Sequence, residues 1–210
     1  MNALDSRVTA ALVEAQHLGV IGKAPIESHI GQARAFFSVA VDLVVPSARV
    51  LDLGSGGGLP GLVIAATWPK LSVALLDGRS SRAENLLAAV EVLGFGDRVQ
   101  VIAQRAEEAG RESRHRHAFD LVVARGFGPP AVTAECAAPF LKVGGLLVVS
   151  DPPGGGMRNR WPEAGIKLLG LRVERAQVDP WAFTVLQQVE LCSDIYPRRT
   201  GLPQKRPLFV

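Results

Sequence analysis

Apolar residues recur at helical spacing in some stretches and as short unbroken runs in others, and the two patterns predict different elements. Val8, Ala11, Leu12, Ala15 and Leu18 fall three or four apart, so residues 4 to 18 predict an amphipathic helix. Residues 27 to 44 predict a second, stopped by Pro46, whose ring cannot continue a helix. The period then changes. Arg49 to Leu53, Ser72 to Asp77, Val99 to Ala103, Phe119 to Ala124 and Gly145 to Ser150 are near-continuous apolar runs of strand length. Between them lie helical stretches at Leu62 to Trp68, at Ser81 to Leu93, opened by the capping box Ser81/Glu84, and at Pro130 to Leu141. Apolar strands alternating with helices predict a mostly parallel sheet covered on both faces. Toward the end, Arg172 to Gln177 and Trp181 to Glu190 are joined by Asp179-Pro180, which predicts an antiparallel hairpin at one edge.

Length and composition narrow the picture. The 210 residues, 48% apolar and 20% charged, suit one globular unit and exclude a disulfide scaffold or a wholly disordered chain. Residues 1–45 are expected to form N-terminal helices and residues 46–210 the main domain, as one compact unit. No apolar run approaches membrane-spanning length, and the first residues carry no export signal, so a cytoplasmic protein is expected. Cys136 and Cys192 have no CxxC partner and no suitably spaced histidine, which predicts reduced core thiols and no metal site. The net charge of +3 matters through its placement. Arg111 to His117 reads as a solvated stretch, whereas the tail from Tyr196 to Pro207 carries Arg198, Arg199, Lys205 and Arg206 with no acid.

The chemistry concentrates after the first strand. Asp52-Leu53-Gly54-Ser55-Gly56-Gly57-Gly58-Leu59-Pro60-Gly61 joins a strand to a helix, the geometry that brings backbone amides against a nucleotide-like ligand. Asp77, at the end of the next strand, is placed to accept from two ribose hydroxyls. Gly56-x-Gly58-x-x-Gly61 satisfies the dinucleotide fingerprint, so a nicotinamide enzyme competes. The run Asp52-x-Gly54-x-Gly56-x-Gly58 instead resembles the S-adenosylmethionine loop of class I methyltransferases. An acid ahead of the glycines suits a cationic methionine end without pyrophosphate.

Val50 to Gly61, Leu75-Leu76-Asp77, Ala124-Arg125-Gly126-Phe127 and the tail Tyr196 to Leu208 together resemble the small-subunit (16S) ribosomal RNA guanine-N7 methyltransferases, also called glucose-inhibited division protein B. The resemblance implies a Rossmann-like class I α/β methyltransferase with a seven-stranded sheet and S-adenosylmethionine as donor. It also implies ribosomal RNA or the small ribosomal subunit as partner. By the resemblance, Gly54, Leu59, the pair Ala106-Glu107 and Arg125 would line the cofactor and substrate site; the loop reading adds Asp52, Gly56, Gly58 and Asp77 to the donor-binding candidates, and charge places Arg198, Arg199, Lys205 and Arg206, with Arg125, against the RNA. No general base is expected, because guanine N7 carries a lone pair and no proton.

Departures keep other readings open. The family's Trp-Asn and Asn-Leu-Thr signatures are missing near the start, Ser28-His29-Ile30 keeps only part of the next motif, and His29 reads as a surface or core histidine. A Lys-Gly pair that the family shows after the fifth strand is replaced by Ser150-Asp151-Pro152-Pro153-Gly154-Gly155-Gly156. Asp151 therefore favours a relative that methylates a small molecule, and Asp-Pro-Pro is similar to the tetrapeptide of exocyclic-amine methyltransferases. A non-catalytic RNA-binding module is the third reading.

Overall fold

The computed structural model describes residues 4–152, 160–177 and 181–210. Pro153 to Gly156 and the Asp179-Pro180 turn lie outside the described residues. Seven strands are described, β1 (Arg49–Leu53), β2 (Ser72–Leu76), β3 (Val99–Ile102), β4 (Phe119–Ala124), β5 (Leu141–Ser150), β6 (Leu171–Gln177) and β7 (Phe183–Gln188). They form one sheet of order β3-β2-β1-β4-β5-β7-β6. The strands β1 to β5 pair in parallel, while β7 runs antiparallel to both β5 and β6 and lies between them. The chain order reverses between β1 and β4, and ligands of open α/β sheets bind beyond the strand ends at such a point.

Among the described residues eight α-helices connect and cover the strands: α1 (Ser6–His17), α2 (Ile26–Ser38), α3 (Gly61–Thr67), α4 (Ser80–Leu93), α5 (Ala106–Ala109), α6 (Pro130–Ala137), α7 (Glu163–Lys167) and α8 (Leu202–Lys205). The period of two in each strand sorts the core into two layers. Val50, Leu121 and Val123 face a cluster with Val8, Leu12, Phe36, Leu62, Ile64 and Leu86. Leu51, Leu53, Val122 and Ala124 face one with Ala106, Cys136, Phe140, Ile166 and Tyr196. Burying side chains of this size stabilises the fold by about 1.5–3 kcal/mol each. The N-terminal helices belong to the first layer: Phe36 of α2 packs edge-on against Phe183 of β7, ring centroids 4.7 Å apart.

Several boundaries differ from the sequence pattern: α6 ends at Ala137 and gives way to a 3-10 turn, β7 is shorter than the run from Trp181 to Glu190, and three further differences have an identifiable local setting. The second helix ends at Ser38, before the valine-rich stretch Val39 to Val45, because β-branched side chains lose χ1 freedom in a helix. The Ser81/Glu84 box does not form: Ser81 lies inside α4 and its N-cap is Arg79, without a side-chain bond. β5 begins at Leu141, four residues early, continuing past Gly144 at φ 86°. Both cysteines are buried free thiols. Burial pushes the Cys192 thiol up to about 11 and that of Cys136 higher. Among the described residues no helix is long and apolar enough to cross a membrane.

Candidate functional site

The glycine loop leaves β1 and is stitched to β2 before it turns into α3. The amides of Gly54 and Ser55 both donate to the Leu76 carbonyl, at 2.8 and 2.9 Å. Gly54 has φ 76°, and a Cβ there would stand 2.6 Å from the Phe127 ring, so this residue combines a left-handed turn with a close approach that only glycine meets. Gly57, Gly58 and Gly61 are small for packing reasons: a Cβ would press on Ile21, Leu62 and Leu75 respectively. Of the fingerprint glycines, Gly58 and Gly61 are thus required by the fit of the loop against α3 and the sheet, whereas Gly56, at φ 57° with only ordinary contacts around a Cβ, is required by its left-handed backbone. Leu59 is 5% exposed and packs in the core with Leu62 and Val63, away from the cleft described next.

Two carboxylates flank this loop in different ways. Asp52 is fully buried beneath it, and its Oδ2 accepts from the Gly61 amide at 2.8 Å. Its Oδ1 has no hydrogen-bond partner among the described residues. Burial pushes the carboxyl up to about 7, against the Gly61 bond, Ser55 and the positive charge of Arg125. Asp77 follows β2 and accepts from the Gly56 amide on Oδ2 and the Arg79 amide on Oδ1, each at 2.9 Å, with Arg82 3.7 Å away. Each oxygen of a carboxylate has two lone pairs, so both retain one for a ligand hydroxyl.

Asp77 lies on the wall of a cleft of about 340 Å³ at the carboxyl ends of the strands. Gly54, Ala106, Glu107 and Phe127 also line it, so four of the sequence-assigned residues meet there. Gln204 from α8 closes it, a residue that nothing in the sequence pattern singled out. Glu107 points partly elsewhere: its Oε1 accepts from the Gly201 amide at 3.0 Å and lies 3.4 Å from Arg105.

Arg125, just past β4, is half-buried, and burial lowers its guanidinium. Its Nη2 donates to Nδ1 of His29 at 2.6 Å, while Nε2 of the same ring contacts the Gly22 carbonyl at 3.0 Å. These bonds select the neutral ring with the proton on Nε2. His29 is therefore a buried residue of α2 that fixes Arg125, a role hidden in the sequence by their separation of 96 residues.

A second hollow of about 290 Å³ opens beside the first, lined by Gly126, Phe127, Gly128, Thr133, Asp151, Arg160 and Trp161 among others. Gly126 and Phe127 line both. Asp151 does not present a free acid to this hollow. Its side chain is fully buried, its Oδ2 accepts from the Thr184 hydroxyl at 2.6 Å, and its Oδ1 is paired with Arg160.

The basic tail divides in two. Arg198 donates to Glu135 from its amide at 2.9 Å, Nε at 2.8 Å and Nη2 at 2.6 Å, and Glu135 is fully buried. Arg198 is consumed as an anchor, which corrects its assignment to RNA by charge alone. Arg199, Lys205 and Arg206 are exposed, and no ion pair is described for them. Arg116, from the stretch read as solvated, donates to the carbonyls of Gly110, Tyr196 and Cys192 and braces the tail's approach.

A family model described as rRNA small subunit methyltransferase G (GidB) matches residues 30–150, more than half of the chain. The chain belongs to this family. Family members named ribosomal RNA small subunit methyltransferase G are similar along most of their length. The one from Moorella thermoacetica is 34% identical over 79% of this chain and 71% of its own. That from Thermotoga sp. strain RQ2 is 37% identical over 80% and 78%. A solved structure described as a putative O-methyltransferase from Klebsiella pneumoniae superposes with a TM-score of 0.63 at 15% identity, covering 89% of this chain and 91% of that one, which establishes the shared methyltransferase fold. With the family in place, the nicotinamide reading of the loop is set aside.

Proposed function

We propose that the protein transfers a methyl group from S-adenosylmethionine to N7 of a guanine in small-subunit ribosomal RNA. The observation that carries this reading is the meeting of two hollows at Gly126-Phe127, one built for a nucleoside around Asp77 and one beside it, in a chain of this family. The residues fit the donor. Asp77 offers a lone pair on each oxygen to a ribose diol, and Ala106, Glu107 and Gln204 border the purine end. Asp52, with its orphaned Oδ1, suits an ammonium group, and Arg125 a carboxylate. Gly54, Gly56 and Gly58 let the backbone approach, and Leu59 supports the loop from the core.

S-adenosylmethionine bound there supplies an electrophilic sulfonium methyl. The protein's share is positional: Phe127 lines both hollows and His29 holds Arg125, and transfer would require only that donor and acceptor be held in line across that boundary. Guanine N7 already carries a lone pair, so the proposed transfer needs no general base. Arg199, Lys205 and Arg206 hold the RNA backbone while a base is presented.

The deciding test is transfer of tritiated methyl to small-subunit particles and naked ribosomal RNA from a strain lacking the endogenous modification, followed by nucleoside analysis. Label in 7-methylguanosine supports the reading; donor binding without label in RNA overturns it in favour of a small-molecule acceptor. Asp77→Ala is expected to weaken donor binding by about 1–3 kcal/mol, through unmet hydroxyls and the lost Gly56 bond, and calorimetry reads this directly. Unchanged affinity would remove Asp77 from the site. Replacing Arg199, Lys205 and Arg206 together by alanine is expected to lower the slope of log affinity against log salt by about 2–3 for RNA, at unchanged donor affinity. An unaltered slope would return these three to the solvated surface.

A further inference from the structure

The second hollow contains a buried acid holding a cation, and that arrangement has a direction. The Asp151 side chain is fully buried, whereas that of Arg160 is 29% exposed, so what the pair presents outward is the guanidinium. Thr184 occupies the other oxygen of Asp151, which fixes the carboxylate and through it the arginine. A guanidinium has five N–H donors, and the ion pair engages Nη1. Trp161, 4% exposed, also lines this hollow, and its indole N–H has no partner among the described residues. The polar equipment that Arg160 and Trp161 bring is therefore donor-only, on a pair whose net charge is zero. A neutral ligand with acceptor atoms fits that better than a phosphate does. Among purine edges, guanine offers O6 and N7 as acceptors, while adenine places an N–H donor where O6 would be.

We propose that Arg160, oriented by Asp151, is a specificity-determining residue that donates to O6 of the acceptor guanine in the hollow between Gly126-Phe127 and Trp161. This rests on the guanine-N7 reading above and adds the group that selects the base. It also gives Asp151 a meaning opposite to the one its sequence position suggested: the acid does not repel nucleic acid but installs a cation from nine residues further on.

The test uses the full chain loaded with S-adenosylhomocysteine and ligand-observed NMR with guanosine, adenosine, 2-aminopurine riboside and ribose 5-phosphate. Guanosine alone is expected to bind, since 2-aminopurine lacks O6 and ribose 5-phosphate offers only the phosphate. Arg160→Gln is expected to weaken guanosine by about tenfold or more while leaving S-adenosylhomocysteine affinity by calorimetry unchanged. Because that variant leaves a buried carboxylate unpaired, the double variant Asp151→Asn with Arg160→Gln, which keeps the pair neutral, is measured beside it. Equal binding of guanosine and adenosine, binding of ribose 5-phosphate in place of guanosine, or unchanged guanosine affinity in a folded variant overturns the proposal. An Arg160-dependent preference for guanosine in a protein that leaves ribosomal RNA unlabelled would uphold this subsite and overturn the ribosomal substrate instead.

Discussion

Arg198→Ala is expected to destabilise the fold by about 3–5 kcal/mol, because it strands a charge in the core. Glu135 has no exposure, and two of its three bonds from Arg198 come from the side chain that the substitution removes. The tail should then detach at its start, carrying with it the Gly201 amide that Glu107 binds and Gln204 at the cleft. Donor affinity is therefore expected to fall with stability, although Arg198 touches no part of the cleft. Urea unfolding monitored by circular dichroism reads the first effect and calorimetry the second. Combining Arg198→Met with Glu135→Leu should recover much of the stability, since replacing a buried pair by apolar groups leaves no orphaned charge. A midpoint indistinguishable from the parent for Arg198→Ala would show that the pair is screened and that the tail is held by other contacts.

Asp52→Asn is expected to remove a pH dependence on the order of 4 kcal/mol from the stability of the ligand-free protein. Burial raises the folded carboxyl to about 7, above the ordinary value of 3.8. The folded chain therefore holds a proton that the unfolded chain releases. This contribution to stability is fully present below about pH 4 and is lost as pH rises toward 7. Asparagine keeps an acceptor for the Gly61 amide and has nothing to ionise. The variant should gain on the parent between pH 4 and pH 8, measured by urea unfolding across that range. Parallel curves would mean that Asp52 is charged throughout, stabilised by Arg125 more strongly than burial opposes it. The same shift bears on the proposed donor: an ammonium against Oδ1 draws the carboxyl back to its charged form. Donor binding near pH 7 is then expected to release a proton from Asp52.

Much of the fold was legible from spacing. Strands β1 to β4 lie at or within a residue of their apolar runs, because a strand buried on both faces has few other ways to be written. The helix ends were less so. Ser81 and Glu84 have the right types and spacing for a capping box, yet the N-cap of α4 is Arg79, two residues earlier, where Asp77 accepts from the Arg79 amide and shapes the approach. At the site, Gly54 and Asp77 stand where a strand-loop-helix unit must put them, but Leu59 turned inward to the core. Charge was the weakest guide. Four basic residues in the tail look alike in one dimension, and only the buried Glu135 distinguishes Arg198 from the other three.

The sequence by itself determined the class of molecule: an alternation of apolar runs and helices, a glycine loop after the first strand and an acid after the second are local patterns, and local patterns are written in neighbouring residues. The tertiary structure decided which side chains remain available for chemistry. His29 reaches Arg125 across 96 residues, Glu135 reaches Arg198 across 63, and Asp151 meets Arg160 and Thr184 from separate segments. Those pairings depend on strand order and on which face each strand turns to the core, so whether a charged residue becomes an anchor, a brace or a ligand-binding group was settled only when the sheet closed around it.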